Sequence, residues 1–203
     1  MIYEEKTIET IPVGPLGLVP LKSCTELGKK VNDYLVTWRR ERESEHKSTI
    51  AFAGYQRDSY IIDAKTPRFG SGEAKGTIES SIRGDDLYIM VDVCNYSLTY
   101  SMAGMTNHMS PVNGYINHMS PDDHYQDLKR VIAAAAGKAH RINVIMPFLY
   151  EGRQHKRSGR ESLDCALALQ ELVNMGVENI ITFDAHDPRV QNAIPLKGFE
   201  TVQ

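Results

Sequence analysis

One short segment of this chain concentrates cationic and amide side chains directly after an apolar run. The run "VIMPF" is followed by "LYEGRQHKRSGR", which carries Arg153, Gln154, His155, Lys156, Arg157 and Arg160. The planar donor fork of arginine matches phosphate oxygens, and lysine adds a compact positive charge. Residue type alone leaves three interpretations open: a solvated surface loop, a patch that binds nucleic acid, or a loop that binds a phosphorylated small molecule.

A second polar cluster follows another apolar run, "NIITF", and contains Asp184, His186 and Asp187. Carboxylate oxygens and one imidazole suit a Mg²⁺ ion that is bound partly through substrate phosphates, with water in the remaining positions. The alternative is structural: the aspartates cap the short helix "PRVQNAI" and His186 forms a local hydrogen bond. The spacing D-x-H-D alone does not decide between them.

Composition narrows the choice for the first cluster. The formal net charge is -3 and the sequence pI is about 6.2, whereas a dedicated nucleic-acid binder is usually basic overall. Local positive charge on a mildly acidic protein favours a small polyphosphate over a long polyanion. Hydrophobic residues make up 41% of the 203-residue chain, which is enough for a packed core.

Cysteine use and apolar run lengths indicate the compartment. Cys24, Cys94 and Cys165 lie far apart and form no C-x-x-C pair, which argues against a disulfide framework or a zinc site. Such cysteines are typical of a reducing, cytoplasmic location. The N-terminal sequence has no apolar signal core, and no apolar run is long enough to cross a membrane, so we expect no membrane partner.

The elements that must position the two clusters follow an alternating pattern. Apolar runs at residues 17–21, 87–93, 141–148 and 178–183 alternate with amphipathic segments at residues 25–41, 122–137 and 161–176. Strands that alternate with helices predict a single α/β domain with a mostly parallel sheet flanked by helices. Ligands in such domains bind beyond the carboxyl ends of the strands, where both clusters would lie.

Local signals refine two of these helices. Ser23 and Glu26 have the spacing of a capping box at the start of the first helix. In the last helix, we expect Leu163, Leu167 and Val173 to face inward and Gly176 to end the helix.

Residues 95–121 interrupt the pattern. The motif N-H-M-S-P occurs twice in this segment, at residues 107–111 and 117–121. Two copies are too few for a repeat architecture, so we predict a long loop that ends where Ser120 caps a helix beginning at Pro121. We expect its histidines, His108 and His118, together with His124, to be surface residues and not metal ligands.

Three segments together resemble a known family. "RFGSGEAKGTIESSIRGDDLYIM", "VIMPFLYEGRQHKRSGRES" and "NIITFDAHDP" are similar, in this order, to the N-terminal half of ribose-phosphate pyrophosphokinases, also called phosphoribosyl pyrophosphate synthetases. Residues 38–66 and 95–121 look like insertions. The resemblance implies a phosphoribosyltransferase-like fold and an enzyme that transfers diphosphate from ATP to ribose 5-phosphate with Mg²⁺.

The resemblance also assigns candidate ATP contacts. Phe69 and Glu73 match the residues with which a neighbouring subunit contacts the adenine, although Ser71 stands where the family has Asp. Arg153 and Gln154 match the family's R-Q pair, which contacts ATP.

The same comparison of motifs assigns the metal site. His186 matches the histidine that ligates Mg²⁺. Asp184, His155 and Arg157 are further candidates, as phosphate contacts or as groups that support the metal ligand. His155 stands where the family commonly has Asp.

The family's catalytic loop and its ribose 5-phosphate loop have no counterpart within residues 1–203. We therefore expect a single ATP-side domain that is inactive alone, contains no catalytic residue itself, self-associates as a homo-oligomer and binds no nucleic acid. The alternative is a non-catalytic regulatory relative that acts as an interaction subunit of a true enzyme.

Overall fold

A computed structural model describes residues 13–45, 57–102, 115–183 and 185–202. Its strands are β1 (Leu16–Pro20), β2 (Ala64–Lys65), β3 (Thr77–Ile78), β4 (Asp86–Met90), β5 (Thr99–Met102), β6 (Tyr115–His118), β7 (Arg141–Met146), β8 (Val177–Phe183) and β9 (Gly198–Val202). Its α-helices are α1 (Thr25–Ser44), α2 (Pro121–Ala135) and α3 (Asp164–Asn174).

The core of the fold is a five-stranded sheet in the order β1-β4-β7-β8-β9. Every pairing between these strands is parallel, which confirms the predicted α/β class. The Leu18 N–H donates to the Tyr60 carbonyl oxygen, and the Ile62 N–H donates to the Leu18 carbonyl oxygen. A short part of the segment that looks like an insertion therefore lies along β1. None of the helices that the structure describes is long and apolar enough to cross a membrane.

Helices cover both faces of this sheet because its apolar side chains alternate between them. Leu16 and Leu18 of β1 pack with Val36 of α1 on one face. On the other face, Leu87 and Val144 are fully buried in a larger cluster with residues of α2 and α3. The strands are therefore apolar on both sides, as expected for a covered parallel sheet.

A buried polar ladder fixes the register at the amino edge of the sheet. Asp86 on β4 accepts hydrogen bonds from Arg141 Nε at 2.8 Å and Nη2 at 2.5 Å, and from Asn143 Nδ2 at 2.8 Å. Asn179 Nδ2 on β8 donates in turn to Asn143 Oδ1 at 2.6 Å. The ladder links three neighbouring strands and so sets the relative positions of the loops at the opposite, carboxyl edge.

The prediction that residues 95–121 form a long loop is wrong. β5 and β6 pair antiparallel within this segment as a separate two-stranded sheet. His118 Nδ1 lies 2.9 Å from the carbonyl oxygen of Tyr96, and His124 is only 2% exposed, with Nε2 2.8 Å from the carbonyl oxygen of Asn95. His124 is therefore a core residue and not a surface one. His108 lies outside the described residues.

Of the two predicted helix caps, the one at Ser120 is confirmed and the one at Ser23 is wrong. Ser120 Oγ accepts from the Asp123 backbone N–H, and the Asp123 carboxylate accepts from the Ser120 N–H, so the cap of α2 is confirmed. Ser23 forms no cap of α1: its Oγ accepts from the Asp92 N–H at 3.0 Å, and residues Lys22–Cys24 form a 3-10 turn.

The predicted inward face of α3 is wrong at one position. Leu167 is 58% exposed, and the helix buries Cys165, Ala168, Leu169 and Leu172. The buried residues are spaced i, i+3, i+4 and i+7 along the helix, and Leu167 lies off this stripe. Gly176 follows the helix with a positive φ of 95°, as expected for its end.

Candidate functional site

The cationic loop (residues 153–160) follows β7 at the carboxyl edge of the sheet. Its shape is set by Gln154, whose Nε2 donates to the carbonyl oxygens of Lys156 at 3.2 Å and Ser162 at 2.8 Å. The Gln154 N–H also donates to the carbonyl oxygen of Glu151, which has a left-handed φ of 56°. The amide hydrogens of Gln154 therefore close the loop on itself, and its side-chain oxygen accepts no hydrogen bond from the described residues.

The positive charges of this loop are unpaired among the described residues. Arg153, Lys156, Arg157 and Arg160 are exposed, and their side chains form no hydrogen bond or ion pair with the residues that the structure describes. Guanidinium groups without a partner at a strand end are available to a phosphate group.

The β8 loop (residues 185–187) lies beside the cationic loop. Asp187 caps the 3-10 helix Pro188–Ala193: it accepts from the Arg189 N–H at 2.9 Å and from the Arg189 guanidinium at 2.6–3.1 Å. These bonds hold the pKa of the Asp187 carboxyl well below its usual range. The capping alternative is therefore confirmed for Asp187, while Asp184 lies outside the described residues.

The two loops meet at a pair of histidines. His155 Nε2 is 3.2 Å from Asp187 Oδ2, and the rings of His155 and His186 are 5.2 Å apart at an interplanar angle of 56°. His186 is exposed, and its ring forms no hydrogen bond with described residues. The structure thus brings the R-Q-H and D-x-H-D motifs together, as their strand-end positions predict.

A cleft of about 390 Å³ is lined in part by Arg153. It lies between the carboxyl ends of β4 and β7, and Cys94, Tyr96 and Phe148 line it. Burial raises the pKa of the Cys94 thiol and Asp92 adds to this effect, whereas Arg153 opposes it. Sequence reasoning missed Tyr96 and Phe148, because an isolated aromatic residue in a loop carries no signal of its own.

The turn that carries Phe69 and Glu73 does not line this cleft. Both side chains are exposed, and the turn is closed by a 2.7 Å bond from the Phe69 N–H to the Glu73 carbonyl oxygen. Ser71 Oγ donates to the Glu73 carboxylate at 2.8 Å, so a serine at this position keeps the carboxylate oriented. Within one chain these two residues and Arg153 belong to different sites.

An ion pair holds the same turn on the body of the domain. Arg68 Nη2 donates to the Asp127 carboxylate at 2.8 Å, and both side chains are largely buried. The Arg68 guanidinium also lies over the Tyr100 ring, 4.6 Å from its centroid. The turn is therefore a fixed, outward-facing feature.

The donors needed for a divalent cation are only partly present. Within the described ranges, no group of three or more His, Cys, Asp or Glu side chains could hold a metal ion. His186 offers one free imidazole, and the Asp187 carboxylate is engaged by Arg189 and His155. A Mg²⁺ ion here would take most of its oxygen ligands from a bound polyphosphate and from water.

Comparison with known proteins gives a consistent result. A family model described as the N-terminal domain of ribose phosphate pyrophosphokinase matches residues 16–176. Ribose-phosphate pyrophosphokinase B of Dictyostelium discoideum is 28% identical over 144 residues, which cover 70% of this chain and 37% of that protein. The ribose-phosphate pyrophosphokinase of Oceanobacillus iheyensis is 26% identical over 138 residues, covering 66% of this chain and 36% of that protein.

The fold has a counterpart among solved structures. The crystal structure of phosphoribosylpyrophosphate synthetase from Mycobacterium smegmatis matches with a TM-score of 0.60 at 20% identity, and covers 92% of this chain and 48% of that chain. At this identity the match supports the fold. The chain spans between about a third and a half of the length of these proteins.

Proposed function

The chain belongs to the ribose-phosphate pyrophosphokinase family through the family's N-terminal domain, and we propose that residues 1–203 form the ATP-binding half of such an enzyme. The enzyme transfers diphosphate from ATP to ribose 5-phosphate and forms phosphoribosyl pyrophosphate. The observation that carries this proposal is the set of exposed cations after β7, which form no ion pair with the described residues, on a loop whose His155 ring lies 5.2 Å from the ring of His186.

The proposed role of the cationic loop follows from the chemistry. Phosphoryl-type transfer depends mostly on positioning and charge neutralisation. Arg153 binds phosphate oxygens through its guanidinium fork, and Arg157 adds positive charge. Gln154 contributes by closing the loop and through its remaining side-chain oxygen.

Magnesium enters this proposal with the nucleotide. His186 supplies one ligand, the phosphates and water supply the others, and Asp184 is a further candidate. The ion would neutralise phosphate charge at the edge of the sheet. Because the described protein donors are few, Mg²⁺ alone should bind much more weakly than Mg²⁺ together with ATP.

Adenine recognition is proposed to involve a second copy of the chain. Phe69 is 52% exposed on a turn that Arg68 and Asp127 hold in place. An exposed aromatic ring on a fixed turn is suited to stack on a base held by a neighbouring subunit, with Glu73 as a hydrogen-bond acceptor. This proposal requires a homo-oligomer.

Ribose 5-phosphate is assigned to a part of the protein outside residues 1–203, since the matched family model is the N-terminal domain alone. Free thiols at Cys24, Cys94 and Cys165 are in keeping with a cytoplasmic enzyme. The substitutions at Ser71 and His155 keep a second candidate open, a non-catalytic regulatory subunit with the same fold.

Synthesis of phosphoribosyl pyrophosphate by the full-length protein tests the proposal. Arg153→Ala and His186→Ala should each lower the rate by at least about tenfold, since each removes a charge-assisted contact or a metal ligand. Lys138→Ala, which removes an exposed cation at the opposite edge of the sheet, is the control. Residues 1–203 alone should form no product. A full-length protein that binds ATP without turnover would favour the regulatory candidate.

A further inference from the structure

One side chain, His155, joins the cationic loop to the β8 loop. Its Nδ1 lies 3.2 Å from the carbonyl oxygen of Arg153, and its Nε2 lies 3.2 Å from Asp187 Oδ2. The two ring nitrogens therefore face acceptors in two different loops. The side chains of His155 and Asp187 are only 11% and 12% exposed, so the contact is partly shielded from water.

The acceptor in the β8 loop is held firmly. Asp187 accepts hydrogen bonds from the backbone N–H and from the guanidinium of Arg189. It also caps the 3-10 helix that follows it. His155 is consequently attached to an acceptor whose position is fixed independently of the cationic loop.

The other acceptor, the carbonyl oxygen of Arg153, belongs to the residue whose side chain is the candidate phosphate contact. The Arg153 side chain is exposed and forms no hydrogen bond with described residues, so its direction depends on its backbone. His155 contacts that backbone at the Arg153 carbonyl oxygen. The His155 ring also lies 5.2 Å from the His186 ring. One residue thus sits between the candidate phosphate contact and the candidate metal ligand.

We infer that His155 is a positioning residue that fastens the cationic loop to the β8 loop and so sets the separation of Arg153 and His186. This inference rests on the proposed function, in which Arg153 binds phosphate and His186 binds the associated Mg²⁺. A magnesium nucleotide spans both groups and is therefore sensitive to their separation. A nucleotide without metal contacts only the cationic loop and is not.

The first test needs no nucleotide. Trypsin cleavage after Lys156 and Arg157 requires the surrounding backbone to fit the protease cleft, so the cleavage rate increases when the cationic loop is held less firmly. His155→Ala should raise the cleavage rate by about fivefold or more, with an unchanged thermal midpoint. His140→Ala removes an exposed histidine at the amino edge and should leave the rate unchanged. Cleavage of His155→Ala at the wild-type rate would overturn the inference.

The second test compares ATP affinity in Mg²⁺ and in EDTA by calorimetry. His155→Ala should weaken binding about tenfold in Mg²⁺ and less than about twofold in EDTA. His155→Gln keeps a donor that can reach Asp187 and should recover part of the loss. An equal loss of ATP affinity in both buffers would refute the positioning role and leave the proposed function untouched. Wild-type protein that binds ATP without any effect of Mg²⁺ would refute the proposed function and the positioning role with it.

Discussion

Removal of the Arg141 guanidinium should destabilise the fold strongly and leave the nucleotide site intact. Arg141 binds Asp86 through two hydrogen bonds across the β4–β7 pairing, at 2.8 and 2.5 Å. Asp86 is 3% exposed, so Arg141→Met leaves a buried carboxylate with one side-chain donor, Asn143. Met retains most of the apolar stem, so the change removes the charge and the hydrogen bonds of the guanidinium, including its interaction with Tyr88, and keeps most of the packing.

The magnitude follows from the burial of the pair. Removing one partner of a buried ion pair costs about 3–5 kcal/mol. The Arg141 side chain is 29% exposed, which admits some water to the variant and places the expected loss near the lower end. A loss of about 3 kcal/mol lowers the melting temperature of a domain of this size by about 6–12 °C. The double variant Asp86→Asn/Arg141→Met removes the stranded charge and should recover about half of the loss.

Urea denaturation followed by circular dichroism measures these free energies, and Lys138→Met, an exposed cation near the same edge, is the control. ATP affinity of the folded Arg141→Met variant should change by less than about twofold, because the pair lies at the edge opposite the cationic loop. A loss below about 1 kcal/mol, or no recovery in the double variant, would refute the view that this pair locks the register of β4 and β7.

Further predictions concern thiols and a buried carboxyl. Iodoacetamide should modify Cys94 before Cys24 and Cys165, because those two are buried and burial raises their pKa values to about 12 and about 11. Arg153→Ala should slow the modification of Cys94 roughly two- to threefold at fixed pH, since Arg153 stabilises the Cys94 thiolate. ATP with Mg²⁺ should also slow this modification. Equal rates for wild type and Arg153→Ala would place Arg153 away from Cys94. Asp85 is buried, its Oδ2 has no hydrogen-bond partner among the described residues, and burial raises its pKa against the opposing charge of Arg57. Because the pKa of Asp85 is raised in the folded state, the stability of the fold decreases as the pH rises and Asp85 ionises. Asp85→Asn should therefore be about 1 kcal/mol more stable than wild type at pH 7, and this gain should be lost below about pH 4. A thermal melt in which the variant is less stable than wild type at pH 7 would contradict this prediction.

Much of the fold could be predicted because its signals are local. Buried runs such as that of β4 are apolar on both faces of the sheet, which distinguishes covered parallel strands from half-exposed ones. The cap of α2 was predictable because Ser120, Pro121 and Asp123 satisfy the helix start without help from the rest of the chain. The position of the two loops followed from the rule that parallel strands share a carboxyl edge.

The errors lie where distant residues compete with local preference. Ser23 has capping spacing, but its hydroxyl is taken by the backbone of Asp92, which arrives from β4. β5 and β6 pair antiparallel, but each strand has only four residues, which is too short for an alternating pattern to predict it from the sequence. Leu167 is apolar yet exposed, because the buried stripe of α3 includes the small residues Cys165 and Ala168 in its place.

The candidate site shows the same division. Residue types and strand-end positions indicated the two clusters, and the resemblance to the family singled out Arg153 and His186 within them. The contact between His155 and Asp187 was not predictable, because it depends on the paths of two loops and on the bonds of Asp187 to Arg189. His155, which follows the R-Q pair, takes its carboxylate partner from the other loop.

Titration of ATP into residues 1–203 by calorimetry, with and without Mg²⁺, tests the central claim most directly. Wild-type protein should bind ATP in Mg²⁺ and much more weakly in EDTA. Arg153→Ala should weaken the Mg²⁺-dependent binding by roughly tenfold to a hundredfold, the range expected for loss of a charge-assisted hydrogen-bond donor, whereas Lys138→Ala should not. Equal affinities for wild type and Arg153→Ala, or no binding of ATP by either, would contradict the assignment of the cationic loop as the ATP-binding loop of this domain.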